Sequence, residues 1–183
     1  MSDILIVGII HKGLDMQLEL LKEGDVEKLL EFEIQNREWF EANIPPRETD
    51  FYSLEGVKEH IQVFLLEFAA KTLVPMLIVD ESGSILGRVN VSNISRRRKI
   101  AHIGYRVGKS FTNRGVAKFA VSSIIRVVEK MGVEKLVAYA STENLASQKV
   151  LTANGFRPMK VVNNYAEMHG KPIDCIEYQL RIN

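Results

Sequence analysis

The apolar residues of this chain change period at residue 74, and that change restricts the fold more than any other feature. Ahead of it, in the segment opened by Ser53, they fall at 54, 57, 61, 64, 65 and 68, the stripe of a helix with one buried face. Beyond it, Val74–Asp80 and Ile85–Ile94 are β-rich runs joined by Glu81-Ser82-Gly83-Ser84, which reads as a hairpin. A third run, Ile100–Gly108, follows the polar turn Ser95-Arg96-Arg97-Arg98-Lys99. Strands joined by such short turns pair antiparallel.

On either side of this core the pattern mixes helices and strands. Residues 17–22 read as a short strand, and Asp25 is placed to N-cap a helix carrying Val26, Leu29 and Leu30. Residues 36–44 continue helically until Pro45-Pro46 stops them. Downstream, Gly115–Met131 reads as a long helix ended by Gly132, Lys135–Ala140 as a strand, and Leu145–Asn154 as a short helix closed by Gly155. Strands at Phe156–Asn163 and Ile173–Ile182 flank the loop His169-Gly170-Lys171-Pro172. The order predicts the α/β class, a mixed and mostly antiparallel sheet with helices on both faces, neither doubly wound nor a barrel. A length of 183 residues is expected to hold a short N-terminal extension, 1–15, and one domain, 16–183.

Composition removes several classes of function. With 24 Lys+Arg against 23 Asp+Glu the net charge is +1, too small for a protein that coats DNA. Lone Cys175 cannot make an internal disulfide, which fits a reducing compartment. His11, His60, His102 and His169 are far apart and no paired CxxC or HExxH spacing exists, so no metal site is expected. The apolar run Ile4–Ile10 is about a third of a bilayer span and lacks the flanks of a signal peptide. A soluble, cytoplasmic protein is expected, as a monomer or homodimer without membrane or DNA partners.

The segment Ile103–Ala117 is the chemically informative one: a strand that ends in a polar loop and opens a helix. A helix N-terminus offers unpaired N–H groups and the positive end of a dipole, which together hold a phosphate or pyrophosphate. Gly115 lets the backbone approach a ligand, and Ala117 keeps the first turn slim. The run Gly104-Tyr105-Arg106-Val107-Gly108-Lys109-Ser110 imitates a nucleotide-binding P-loop but is one residue short between its glycines, and it reads as strand.

Thr112-Asn113-Arg114-Gly115-Val116-Ala117 resembles the acyl-CoA-binding motif of the GNAT superfamily of N-acetyltransferases, Gln/Arg-x-x-Gly-x-Gly/Ala, with Thr112 standing in the Gln/Arg position. Downstream, Asn144, Ser147, Val150-Leu151 and Gly155-Phe156 resemble the family's Asn-x-x-Ala-x-x-Leu-Tyr-x-x-x-Gly-Phe signature, with Ser147 for Ala and Leu151 for a Tyr that is catalytic in many members. These departures, the run Asn36-Arg37-Glu38-Trp39-Phe40 ahead of Pro45, and Ile103-Gly104-Tyr105 are similar to the Rim-type branch, the ribosomal-protein alanine and serine N-acetyltransferases. The resemblance runs from about residue 17 to 182.

It implies a sheet splayed between two central strands and direct transfer of acetyl from acetyl-CoA to a primary amine, with no metal. The acceptor it implies is a protein N-terminus, such as that of a ribosomal protein; a small amine (polyamine, amino sugar or antibiotic) and a non-catalytic CoA-binding module are the alternatives. By resemblance, Tyr105, Arg106 and Val107 would pair with the pantetheine arm, and Thr112, Asn113, Arg114, Gly115, Val116, Ala117 and Lys118 would hold the pyrophosphate. Ser147 is the candidate to protonate or hydrogen-bond the leaving thiolate, or else a helix-surface serine bonded to its own backbone. Asn144 reads as a helix cap, a pantetheine contact, or both. Glu167 and His102 are the candidate bases, and each also reads as a plain surface residue. Trp39 and Tyr52 either wall the acceptor pocket or pin helices to the sheet. The basic turn Arg96–Lys99 is a solvated hairpin tip, or docks RNA or an acidic protein.

Overall fold

The computed structural model describes residues 7–11 and 14–182. Eight strands form one sheet in the spatial order β1-β2-β3-β4-β5-β6-β8-β7. They are β1 Val7–His11, β2 Leu14–Leu20, β3 Val74–Asp80, β4 Ile85–Ser95, β5 Ile100–Val107, β6 Lys135–Ser141, β7 Arg157–Met168 and β8 Lys171–Arg181. The α-helices are α1 Val26–Gln35, α2 Arg37–Glu41, α3 Leu54–Ala69, α4 Val116–Lys130 and α5 Leu145–Ala153. Every neighbouring pair of strands is antiparallel except β5 and β6. Parallel neighbours need a crossover, and α4 supplies it.

Helices cover both faces, as the element order requires. Met76 and Ile78 of β3 pack with α4 and α5, whereas Leu77 and Val79 pack with α1, α2 and α3. Alternate residues of one strand thus serve two cores, which is why β3 is apolar from Val74 to Val79. No helix among the described residues is long and apolar enough to cross a membrane.

Several local expectations are met and others are corrected. Ser53 caps α3, its side chain accepting from the Gly56 N–H at 3.0 Å. Asp25 turns backwards instead of capping α1: its carboxylate accepts from the Lys22 N–H at 2.8 Å and closes the 3-10 turn Glu23–Asp25. Of the N-terminal extension, residues 1–6, 12 and 13 lie outside the described residues; residues 7–11 form β1, at the edge of the sheet. The last two strands are longer than their composition suggests and meet at His169-Gly170, both left-handed, so Lys171 and Pro172 belong to β8. Pro172 is tolerated because β8 pairs there with β7 alone, its pairing with β6 starting at Cys175.

The feature that positions the site is a parting in the middle of the sheet. β5 and β6 pair only at Ile100–Lys135, Ala101–Leu136 and His102–Val137. Beyond His102, β5 stays with β4 as far as Val107 opposite Gly87, while β6 stays with β8 as far as Ser141 opposite Cys175. The twist of each antiparallel pair carries the two strand ends apart. The splay implied by the family resemblance is therefore present.

Gly87 sets how closely β5 approaches β4 at this end. A Cβ on Gly87 would lie 2.5 Å from the Arg106 carbonyl oxygen and 3.0 Å from Ile78 Cδ1. Replacing a strand glycine gains about 0.5–1 kcal/mol from chain entropy, whereas overpacking costs about 1–3 kcal/mol. Gly87→Ala is accordingly expected to lower the urea unfolding free energy by roughly 1 kcal/mol or more. An unchanged or raised value would show that β5 does not need the glycine.

Candidate functional site

Two cavities, of about 490 and about 450 Å³, open on the parted strands. The first runs between the ends of β5 and β6, with Tyr139, Tyr165 and Cys175 on one side and Arg88 and Asn90 on the other. The second is bounded by Trp39, Val107, the turn into α4 and the start of α5. Six residues line both: Asn43, Ile44, Tyr105, Arg106, Asn144 and Ser147. The cavities therefore meet through the gap in the sheet.

The second cavity presents a helix N-terminus. Asn113 and Gly115 both take left-handed conformations, φ 59° and 78°, which turn the chain from β5 sharply into α4. Gly115 is the N-cap, and no side chain caps the helix. The Phe119 N–H bonds the Gly115 carbonyl at 2.9 Å, so the N–H groups of Val116, Ala117 and Lys118 precede that bond. All three residues line the cavity, and the space around Gly115 where a Cβ would point is open. Uncapped N–H groups, a helix dipole and no obstructing side chain make a seat for an anion. Thr112 and Asn113 also line this cavity; exposed Arg114 is not among its lining residues.

At the junction, the Tyr105 hydroxyl lies 3.0 Å from Ser147 Oγ. Ser147 is presented by the first turn of α5, where its N–H donates to Asn144 Oδ1 at 3.0 Å. Asn144 is thus the cap of α5 and a lining residue of both cavities. Burial pushes the Tyr105 phenol up to about 12, against a smaller opposing pull from its bond to Ser147, so it is a neutral hydroxyl near pH 7. Leu151, one turn beyond Ser147, is buried in the core and lines the first cavity with carbon alone.

The remaining candidates divide. Trp39 lines the second cavity, and its indole N–H donates to the Val107 carbonyl at 3.1 Å, fixing the last residue of β5. His102 lines the first cavity, its ring 6.0 Å from that of Tyr139. Tyr52 does not join them: its hydroxyl donates to Glu41 Oε1 at 3.3 Å and its ring lies under the Arg37 guanidinium at 4.1 Å. Glu167 is exposed on the β7–β8 hairpin opposite Pro172, outside the lining of both cavities. In the basic turn, Lys99 pairs with Glu134 across to the start of β6.

A buried charge cluster beside the site was not anticipated from the sequence. Glu33 of α1 is fully buried; Arg88 of β4 donates to its Oε1 at 2.7 Å and Arg106 of β5 to its Oε2 at 3.1 Å. Arg47 approaches Glu33 at 3.6 Å. Arg88 also donates to His60 Nε2 at 2.7 Å, which places the imidazole proton on Nδ1 because a guanidinium cannot accept. Burial alone would raise the Glu33 carboxyl, but Arg106, Arg88 and Arg47 outweigh it and hold it below the ordinary value. Burial, reinforced by the same three arginines, drives His60 down to about 2.

Residues 15–157 match the family model described as Acetyltransferase (GNAT) domain. Over 162 residues the chain is 24% identical to the probable N-acetyltransferase YjcK of Bacillus subtilis (strain 168), an alignment spanning 87% of this chain and 90% of that one. The ribosomal-protein-S5-alanine acetyltransferase of Vibrio fischeri has the same fold, with a TM-score of 0.90 at 23% identity over 97% of this chain and 96% of that one. So has RimL, a ribosomal L7/L12 alpha-N-protein acetyltransferase solved with coenzyme A, with a TM-score of 0.87 at 20% identity over 97% and 98%.

The buried imidazole gives the fold a pH signature. In the folded chain His60 stays neutral down to about pH 2, whereas unfolded it binds a proton below about 6.5. Its contribution is complete above pH 6.5 and is lost as pH falls, by up to ~1.4 kcal/mol per unit for one proton. Glu33, also lowered, adds its own loss only below its free value of 4.5. In urea melts between pH 6.5 and 4.5, His60→Gln, which retains an acceptor for Arg88, is expected to lose stability less steeply than the parent. Parallel profiles would contradict a neutral buried His60.

Proposed function

The chain belongs to the GNAT acetyltransferase family, and from that premise we propose that it moves acetyl from acetyl-CoA directly to a primary amine, the α-amino group of a protein N-terminus. The observation that carries this reading is the meeting of the anion-seating second cavity with the first, the acceptor cavity, at Tyr105 and Ser147. RimL holds coenzyme A, and both solved relatives are named for ribosomal proteins, which supports a CoA carrier and a protein acceptor. An acceptor of that kind implies a cytoplasmic site of action.

The turn Thr112–Lys118 fits the diphosphate: N–H groups of Val116, Ala117 and Lys118 bind it, and the left-handed Asn113 and Gly115 aim them. The free edge of Tyr105–Val107 pairs with the pantetheine arm as another strand would, which the parting from β6 leaves room for. Bound acetyl-CoA supplies an activated thioester. The backbone N–H at Val107 stabilises charge developing on the thioester oxygen, and Trp39 holds that residue in place through its carbonyl. Most of the acceleration comes from alignment, since well-oriented pairs reach effective molarities on the order of 10⁵–10⁸ M.

Ser147 donates a hydrogen bond to the departing sulfur as the carbon–sulfur bond breaks, Tyr105 orients it, and the thiolate takes up the proton that the attacking amine releases. An α-amine, with a pKa of roughly 7.7–8.0, is partly neutral without help, so a weak base suffices. His102 lines the acceptor cavity and Glu167 does not, which favours His102 or a water it holds.

Three outcomes test the reading. Gly115→Glu puts a carboxylate at the mouth of the anion seat and is expected to abolish acetyl-CoA binding by calorimetry; unchanged affinity would refute the placement. Ser147→Ala keeps the backbone N–H that Asn144 caps, so α5 survives while kcat falls by roughly 10²-fold with little change in KM. Equal turnover would remove Ser147 from the mechanism. Thiol release should be faster with N-terminal peptides than with polyamines or amino sugars, and the opposite ranking would reassign the acceptor.

A further inference from the structure

Three guanidiniums converge on one carboxylate beside the acceptor cavity. Arg88, Arg106 and Arg47 all pair with Glu33, and no second carboxylate forms an ion pair with any of them among the described residues. One arginine would neutralise Glu33, so two positive charges stand without a counter-charge. Arg88 is buried and Arg106 and Arg47 are only 21% and 24% exposed, so holding cations here without a counter-charge is unfavourable, and a tie between α1 and the sheet does not require three of them. Cation–π contacts of Arg106 with Phe40 and of Arg47 with Phe51 offset only part of that cost.

Two of the three arginines, Arg88 and Arg106, face the cavity; Arg47 is not among its lining residues. Arg88, 2% exposed, lines the acceptor cavity, and its buried Nε has no hydrogen-bond partner among the described residues. Arg106 lines both cavities and keeps 21% of its side chain exposed. Asn90 Oδ1, on the wall of the same cavity, is a buried acceptor that lacks a donor among the described residues. Burial and the positive field hold neighbouring His60 neutral, so it adds no further charge. The wall thus offers uncompensated positive charge and one waiting acceptor, complementary to a carboxylate and an N–H on the same molecule.

We infer that the acceptor cavity recognises a side-chain carboxylate on the amine substrate, with Arg106 as its counter-charge and Arg88 behind it, so that acidic N-termini are preferred. This rests on the acetyl-transfer reading above. Arg106 follows Tyr105 in β5, next to the transfer point, which puts a carboxylate on the first or second residue of the acceptor within its reach.

The test compares kcat/KM for N-terminal peptides that differ only in an Asp, Asn or Lys at the second position, for the parent and Arg106→Gln. The Asp peptide should exceed the Asn peptide roughly tenfold at low salt, as expected for a charge-assisted contact, and the Lys peptide should be poorest. The Asp/Asn ratio should fall toward one in Arg106→Gln, in which Arg88 still pairs with Glu33. Equal rates for the three peptides, or an undiminished ratio in the variant, would overturn the proposal and leave acetyl transfer standing. Free aspartate outperforming the Asp peptide would overturn the peptide as the source of the carboxylate. Should no amine be turned over, the acetyl-transfer reading fails; calorimetry of the Asp peptide with the CoA-loaded protein then decides the pocket. Binding lost in Arg106→Gln supports it, and no binding to the parent overturns it.

Discussion

Strands β5 and β6 hold each other over three residue pairs and then separate, and the site follows from that separation. Each strand keeps its outer antiparallel partner, so neither end frays, yet the facing backbone edges are left without one another. Unpaired strand edges are costly when buried and hazardous when exposed. Here they open onto two cavities that meet through the sheet. The same crossover that makes the central pair parallel delivers α4 with its N-terminus at the mouth of the gap. An anion seat, a strand edge and a hydroxyl pair are therefore positioned by one topological decision.

The second organising interaction is electrostatic. Glu33 lies in α1 and its arginine partners in β4, in β5 and in the segment after Pro45-Pro46, so one buried carboxylate ties three other parts of the chain to α1. Removing it would leave three guanidiniums facing one another, and such a loss costs far more than the intact pair contributes. Arg106 belongs both to this tie and to the cavity lining, which couples the position of α1 to the site.

The architecture was legible where local signals agree with tertiary ones. The period change at residue 74, the cap at Ser53 and the strand–loop–helix around Gly115 each depend on neighbours in sequence, and each is present. Asn144 and Ser147 were legible because the cap and its recipient lie three residues apart. Tyr105 was read only for its backbone; that its hydroxyl meets Ser147, 42 residues away, is a product of the gap and has no local sign. Tyr52 was a candidate by residue type and neighbourhood and Glu167 by the family resemblance, and their side chains turn to Arg37 and to solvent. The Glu33 cluster did leave a trace: Glu33 falls on the apolar stripe of α1, and Arg88 interrupts the apolar run that opens β4. A charge on a core-facing position is a sign of a partner, but the sequence does not say which one.

Backbone amide hydrogen exchange, measured residue by residue with and without CoA, tests the central claim most directly, because it reports on the strand edge itself. New protection at Tyr105–Val107 and at Val116–Lys118, with the β4 side of β5 protected in both states, is the result expected if the carrier adds to the open edge. Protection confined to other segments, or none on saturation with CoA, would contradict a site built on the gap between β5 and β6.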